Sequence, residues 1–196
     1  MKLMIDIMKN GEMLNKRLVI SNLPLVFEGR GLPSKLQAKV MLMRVTFDRA
    51  ANSFNEKMKE VMNGLKPEGY DDIAREKNEC ESIESKLKSY EEWNGEGEKP
   101  SKPSEEELSK VKKFKEEKLD DYNTKEKDLL SKYNEAYMTE FKEESDVKVK
   151  KFTEDELASI IELIGIEGDF EFVNGENKIL IPRQEYLAIV ADSFVE

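Results

Sequence analysis

The sequence predicts an α+β fold that is predominantly α: a long antiparallel helical hairpin with a coiled-coil-like stalk, and a small α+β head formed by the N- and C-terminal segments. Three observations lead there. Apolar residues recur every three or four positions over 36–65, no glycine or proline interrupts 104–145, and Asn-Gly pairs stand near both ends. Charged residues make up 38% of the 196, against about 25% in an ordinary soluble domain. That surplus suits extended helices, which carry more solvated surface than a sphere. The expected division is an N-terminal β/loop part of the head (1–33), the stalk (34–145, tip at 94–104) and a C-terminal α+β part of the head (146–196).

The N-terminal part reads as small β structure. "LMIDIM" alternates weakly, "KNGE" (9–12) carries a hairpin turn signal, and "RLVI" (17–20) supplies a second apolar run. Two prolines and two glycines in "SNLPLVFEGRGLP" favour turns. The first long helix is expected from Ser34, with Ser34 and Gln37 as a capping box. Its seam is Leu36, Val40, Met43, Phe47, Ala50, Phe54, Met58, Val61 and Leu65, a spacing that demands a packing partner. "NGLKPEGYDD" breaks it, and a second helix follows from about Asp72 through Ile73, Cys80, Ile83, Leu87 and Tyr90. After the irregular "EEWNGEGEKPSKPSEEEL" (91–108), Ser104 and Glu107 form another capping box. The helix they open is expected to run to 145 as one rod of roughly 60 Å. Neither flank of the 94–104 stretch can bury its stripe alone, so this stretch reads as a hairpin tip rather than an interdomain linker.

Beyond the stalk, "DVKVKKF" alternates like a strand, and Thr153 with Glu156 caps a helix that Gly165 ends. A hairpin around Asn174-Gly175 follows. Pro182 suits the start of a last helix that turns Tyr186, Ile189, Val190 and Phe194 inward. This returning chain is expected to pack near the N-terminal segment.

The residue inventory removes most chemistries. Without histidine there is no Ser-His or Cys-His pair and no Cys/His zinc site, and the single Cys80 excludes an internal disulfide. Cys80 falls on an apolar helical position and reads as a small core residue. Phosphate-cradling glycine motifs and EF-hand loops are missing. Carboxylate pairs are so frequent that they read as solvated helix faces; a carboxylate-bound metal would need convergence that only a structure can show. No enzyme activity, cofactor or metal is expected. No apolar run is long enough for a membrane span, and the first dozen residues lack the uninterrupted apolar core of a signal peptide. An intracellular, reducing compartment is the expectation.

Charge is polarised: net +5 over 1–65, −6 over 66–151 and −9 over 152–196. The basic helix residues Lys35, Lys39, Arg44 and Arg49 are candidates for docking an acidic protein surface. An overall pI of about 4.9 speaks against direct nucleic-acid contact. Trp93, beside the tip, is either a contact residue or a plug closing the hairpin end.

Several segments together carry a resemblance: "NGE" (10–12), "LPSKLQAKVMLMRVTFDRAANSFNEKMKEV", "VKVKKFTEDELASI" and "YLAIVADSFVE". In layout the chain resembles a family of small tailed-bacteriophage proteins of unknown function, encoded among virion and assembly genes. The resemblance implies a non-enzymatic virion structural or assembly protein that acts as a spacer or adaptor. Its partners would be other phage structural proteins and further copies of itself, as a homo-oligomer or ring. The family carries no known catalytic residues. The tip at 94–104 and the C-terminal hairpin depart from its pattern. The alternative reading is an acidic, host-directed inhibitor that mimics DNA or blocks a nuclease.

Overall fold

The computed structural model describes residues 8–95 and 97–195. In chain order the elements are β1 (Met8–Lys9), α1 (Asn10–Asn22), β2 (Val26–Phe27), β3 (Arg30–Gly31), α2 (Ser34–Leu65), α3 (Tyr70–Glu91) and α4 (Glu105–Glu117). Then come α5 (Leu119–Lys142), β4 (Glu144–Ser145), α6 (Glu154–Ile164), β5 (Asp169–Asn174), β6 (Asn177–Pro182) and α7 (Arg183–Phe194). Among the described residues, β1 pairs with β4, β2 with β3 and β5 with β6, all antiparallel. The fold is therefore α+β and predominantly α. The chain divides into two compact units, Met1–Met58 with Met138–Glu196, and Lys59–Tyr137.

In the first unit the N-terminal hairpin expected at 9–12 is replaced by a helix. Asn10 and Gly11 open α1, and "RLVI" lies within it. Met13, Ile20 and Leu23, at helical spacing, are all buried. The physical reason lies in what Asn10 and Gly11 touch. The Asn10 backbone N–H donates to the Glu143 carbonyl at 2.9 Å, and its side-chain Nδ2 donates to the Glu140 carbonyl at 2.8 Å. Both acceptors stand at the C-terminal end of α5, where carbonyls run short of helical partners, and that of Glu140 also accepts from the Glu143 N–H at 3.1 Å. Gly11 has the Phe141 ring against it: a Cβ there would fall 2.2 Å from a ring carbon. Asn-Gly here serves close packing, not a turn. Most of "LMIDIM" lies outside the described residues; its last residue, Met8, pairs with Ser145.

Helix α2 begins at Ser34, but not through the expected capping box. Pro33 occupies the cap position, its carbonyl accepting from the backbone N–H of Gln37 at 2.9 Å. The Gln37 side chain instead donates to the Leu32 carbonyl at 2.8 Å. The buried seam is Leu36, Val40, Met43, Phe47, Ala51, Phe54 and Met58. Ala51 thus replaces the expected Ala50. With that shift the spacing becomes four-three-four, repeated: an eleven-residue period close to that of a straight helix. Phe47 of this seam meets Phe194 edge-on at 6.0 Å, and Phe152 meets the same ring at 5.9 Å.

The C-terminal part of this unit completes that core. Residues 146–151 form no strand, although "DVKVKKF" alternates. Val147 is buried and Val149 half-buried in step with that alternation, whereas Phe152 is buried out of step with it; among the described residues no neighbouring strand supplies a ladder. Only Phe152 bridges, donating its N–H to the Phe194 carbonyl at 2.7 Å. Thr153 and Glu156 form the expected capping box, and Gly165, at φ +72°, ends α6. The β5–β6 hairpin turns through Gly175 and Glu176, with Asn174 opposite Asn177. Phe170 stacks on Tyr186 at 4.1 Å, and the buried Tyr186 hydroxyl donates to the Val19 carbonyl at 3.1 Å. The returning chain thus packs on α1.

The second unit has its own core. Ile73, Cys80, Val111, Phe114 and Tyr122 are buried together, with Ile83 and Leu119 against them. Pairing of Lys86 with Glu107 and of Glu76 with Lys118 shows that α4 runs back along α3. The expected capping box of Ser104 and Glu107 is formed. The uninterrupted rod over 104–145 is not, because the helix breaks at Lys118, whose φ is −127°. Phase explains the break. Phe114 and Tyr122 are eight residues apart, which on an ideal helix rotates them about 80° from one another. The bend at Lys118 lets both enter one cluster, and the Lys118 ammonium donates to both Glu76 carboxylate oxygens, at 2.8 and 2.6 Å.

Two outcomes follow. Gly11→Ala is expected to lower stability by about 1–3 kcal/mol through overpacking, with Gly11→Ala/Phe141→Leu recovering part of it in thermal melts. Burial pushes the Tyr186 hydroxyl above its ordinary pKa, and burial with the Glu126 hydrogen bond does the same to Tyr122. A raised folded pKa favours the protonated folded state, so this stability is full below the ordinary tyrosine value and is lost as pH climbs past it. Stability followed by circular dichroism should fall above about pH 10, less steeply in Tyr186→Phe.

Candidate protein-binding surface

Helix α2 has two faces of opposite fate. At about 100° per residue, its buried seam lies on one side, and Lys35, Ala38, Met41, Leu42, Val45 and Arg49 lie on the other. None of these six is buried: Met41 is 47% exposed, Leu42 68% and Val45 40%. Three large apolar side chains in solvent on two helical turns are unusual for a surface that only meets water. A basic residue closes the stripe at each end, and neither Lys35 nor Arg49 has an ion pair among the described residues.

The other two basic candidates are occupied within the fold. Lys39 donates to the Lys151 carbonyl and to the Glu156 carboxylate, and sits 5.3 Å from the centre of the Phe152 ring. Burial alone would raise the Glu156 pKa, but hydrogen bonds from Lys39 and the Thr153 N–H outweigh it and hold the carboxyl below its usual range. Arg44 donates through Nε to the Ile20 carbonyl at 3.0 Å and through its terminal nitrogen to the Leu23 carbonyl. It closes the C-terminal end of α1, where the Ile20 carbonyl also accepts from the Leu23 N–H at 3.3 Å. Burial lowers its pKa from the ordinary value, against the opposing pull of Tyr186 and Asp48. Sequence reasoning therefore named four cations, of which the fold leaves Lys35 and Arg49 outward. It missed Met41, Leu42 and Val45. The signal was present: "VMLMRV" is apolar on both sides of the helix, more than one core seam needs.

Trp93 lies just past α3, 37% exposed. Lys99 reaches over it and over Tyr90, 5.4 and 4.7 Å from the ring centres. It packs within its own loop and still presents part of its ring.

A cleft of about 410 Å³ also opens in the first unit, between Arg49, Lys57, Asn10, Glu140, Glu144 and Asp146 among others. Lys57 pairs with Glu140 at 2.6 Å, and the lining carries both signs of charge. Among the described residues no group of three or more Cys, Asp or Glu is gathered to hold a metal ion. Nor is any described helix long and apolar enough to cross a membrane. Cys80 is buried, and that burial raises its thiol pKa, which keeps it protonated.

Comparison with known proteins returned no matching family model, no matching curated protein and no matching solved structure.

Arg44 and Arg49 test the division between structural and outward cations. Arg44→Met should cost about 1–3 kcal/mol, since it removes the Arg44 donor from the Leu23 carbonyl and one of two donors from that of Ile20. Arg49→Met should stay within about 0.5 kcal/mol. Urea titration of both variants measures the contrast.

Proposed function

We propose that this chain is a non-enzymatic protein of a tailed bacteriophage, a spacer or adaptor in the virion or during its assembly, and that it docks an acidic partner protein on the outer face of α2. The observation that carries the docking is the exposed Met41–Leu42–Val45 stripe between the outward Lys35 and Arg49. Apolar centres ringed by charge are how protein interfaces combine affinity with orientation. Complementarity calls for an amphipathic partner helix, apolar in its middle and acidic at its ends. The phage setting rests on the resemblance of segments such as "LPSKLQAKVMLMRVTFDRAANSFNEKMKEV", and the host cytoplasm or the virion is where such a protein would act.

The helical hairpin belongs to the same proposal. The antiparallel α3–α4 pair, with its loop at 92–104 and Trp93 in it, supports reading this region as a hairpin arm offering a second contact. The inhibitor alternative has less support. A DNA mimic needs rows of uncompensated acid, whereas Glu76, Glu79, Glu84 and Glu107 are each answered by a lysine across the α3–α4 pair.

A photo-crosslinking side chain at position 42, in protein made during phage infection, is expected to join one virion or assembly protein through an acidic segment. Met41→Asp and Arg49→Glu should each lower the adduct by roughly tenfold, and added salt should weaken it. No adduct, or adducts confined to a host nuclease, would overturn the reading.

A further inference from the structure

We propose that β6 is the two-fold contact of a homodimer, pairing antiparallel with β6 of a second copy about Ile179. The β5–β6 hairpin has two outer edges, and only one is closed. Asn174 and Asn177 flank its two-residue loop, which makes them a hydrogen-bonded pair. Alternation then turns the backbone groups of Val173 outward on one edge and those of Lys178 and Leu180 outward on the other. The β5 side agrees: the Val173 N–H donates to Asn22 Oδ1 at 2.7 Å, and Asn22 Nδ2 donates to the Val173 carbonyl at 2.9 Å. The asparagine amide thus stands in for a neighbouring strand.

Nothing among the described residues does this for β6. Natural edges are guarded by charge, proline or bulges, and here Lys178 and Pro182 bracket an unguarded Ile-Leu-Ile. Leu180 is 69% exposed and Ile179 52%.

The occupant follows from symmetry. The two outward residues, 178 and 180, are equidistant from Ile179. An identical strand laid antiparallel about that residue therefore satisfies all four N–H and all four C=O groups in hydrogen-bonded pairs of Lys178 with Leu180, twice. Ile179 then faces Ile179 of the second copy. Because Phe172 is the in-hairpin partner of Ile179, the axis carries a row of four apolar side chains, Phe172 and Ile179 from each copy. Lys178 meets Leu180 rather than another lysine, and keeps Glu171 at 2.9 Å, so no like charges face each other. A strand pair is small beside a standard interface of about 1,600 Å², and each copy carries −10. The dimer is therefore weak, and salt tightens it by screening that repulsion. This is opposite to the salt response of docking at α2, and the β6 variants leave α2 intact, so the two readings fail separately.

Sedimentation over roughly 10 µM to 1 mM should show the mass rising from that of the 22.7 kDa chain toward twice that value. Leu180→Pro removes an outward N–H that the hairpin itself does not use, and should weaken the dimer by about tenfold or more. In a Cys80→Ala background, Ile179→Cys should oxidise to a covalent dimer, because residues in a non-hydrogen-bonded pair sit about 4.5 Å apart at Cα. Leu180→Cys, which faces Lys178, should not. A monomer throughout the range overturns the proposal. So does a dimer that tolerates Leu180→Pro and shows no preference for cysteine at 179.

Discussion

The first unit depends on the burial of α7, and α7 is held by Tyr186. That ring is fully buried, stacked on Phe170 from β5, with its hydroxyl on the Val19 carbonyl of α1. A buried hydroxyl without a partner would be costly, so one side chain fixes the helix, the hairpin and α1 against each other. Phe194, two turns further along α7, then receives Phe47 from α2 and Phe152 from the segment before α6. Segments far apart in sequence become neighbours through these two rings.

Both proposed surfaces are consequences of this arrangement. Because Phe47 points to Phe194, the opposite side of α2 must face outward, carrying Met41, Leu42 and Val45 with it. Because Phe170 points to Tyr186 and Asn22 covers the β5 edge, the edge left bare is β6. The exposed apolar groups are what remains once a small core has taken one side of each element.

Charge is partitioned in the same way. On the α3–α4 pair, lysines and glutamates meet across the helices, exposed interactions that contribute little individually. In the first unit, Arg44 and Lys39 are partly buried and spend their donors on backbone carbonyls, which makes them structural. Arg183 behaves likewise, donating to the Ile164 carbonyl at 3.0 Å and to Glu28 at 2.9 Å. Lys35 and Arg49 differ from Lys39 and Arg44 in which side of α2 they occupy.

Sequence alone determined what depends on near neighbours. The Ser104 and Thr153 capping boxes, the Gly165 stop, the hairpin at 174–175 and six residues of the α2 seam (Leu36, Val40, Met43, Phe47, Phe54 and Met58) are set by spacings of a few residues, where backbone geometry leaves few choices. It failed where distant partners compete with local preference. Asn10-Gly11 has the composition of a turn, yet it became a helix start because the end of α5 and the Phe141 ring stand against it. Residues 104–145 contain no helix breaker, yet the helix bends at Lys118 because Phe114 and Tyr122 must reach one cluster. Residues 146–151 alternate, yet no strand among the described residues pairs with them. The same limit applies to function. Which lysines and arginines face outward, and which apolar side chains are left in solvent, was decided only when the rings of α7 chose the side of each element to bury.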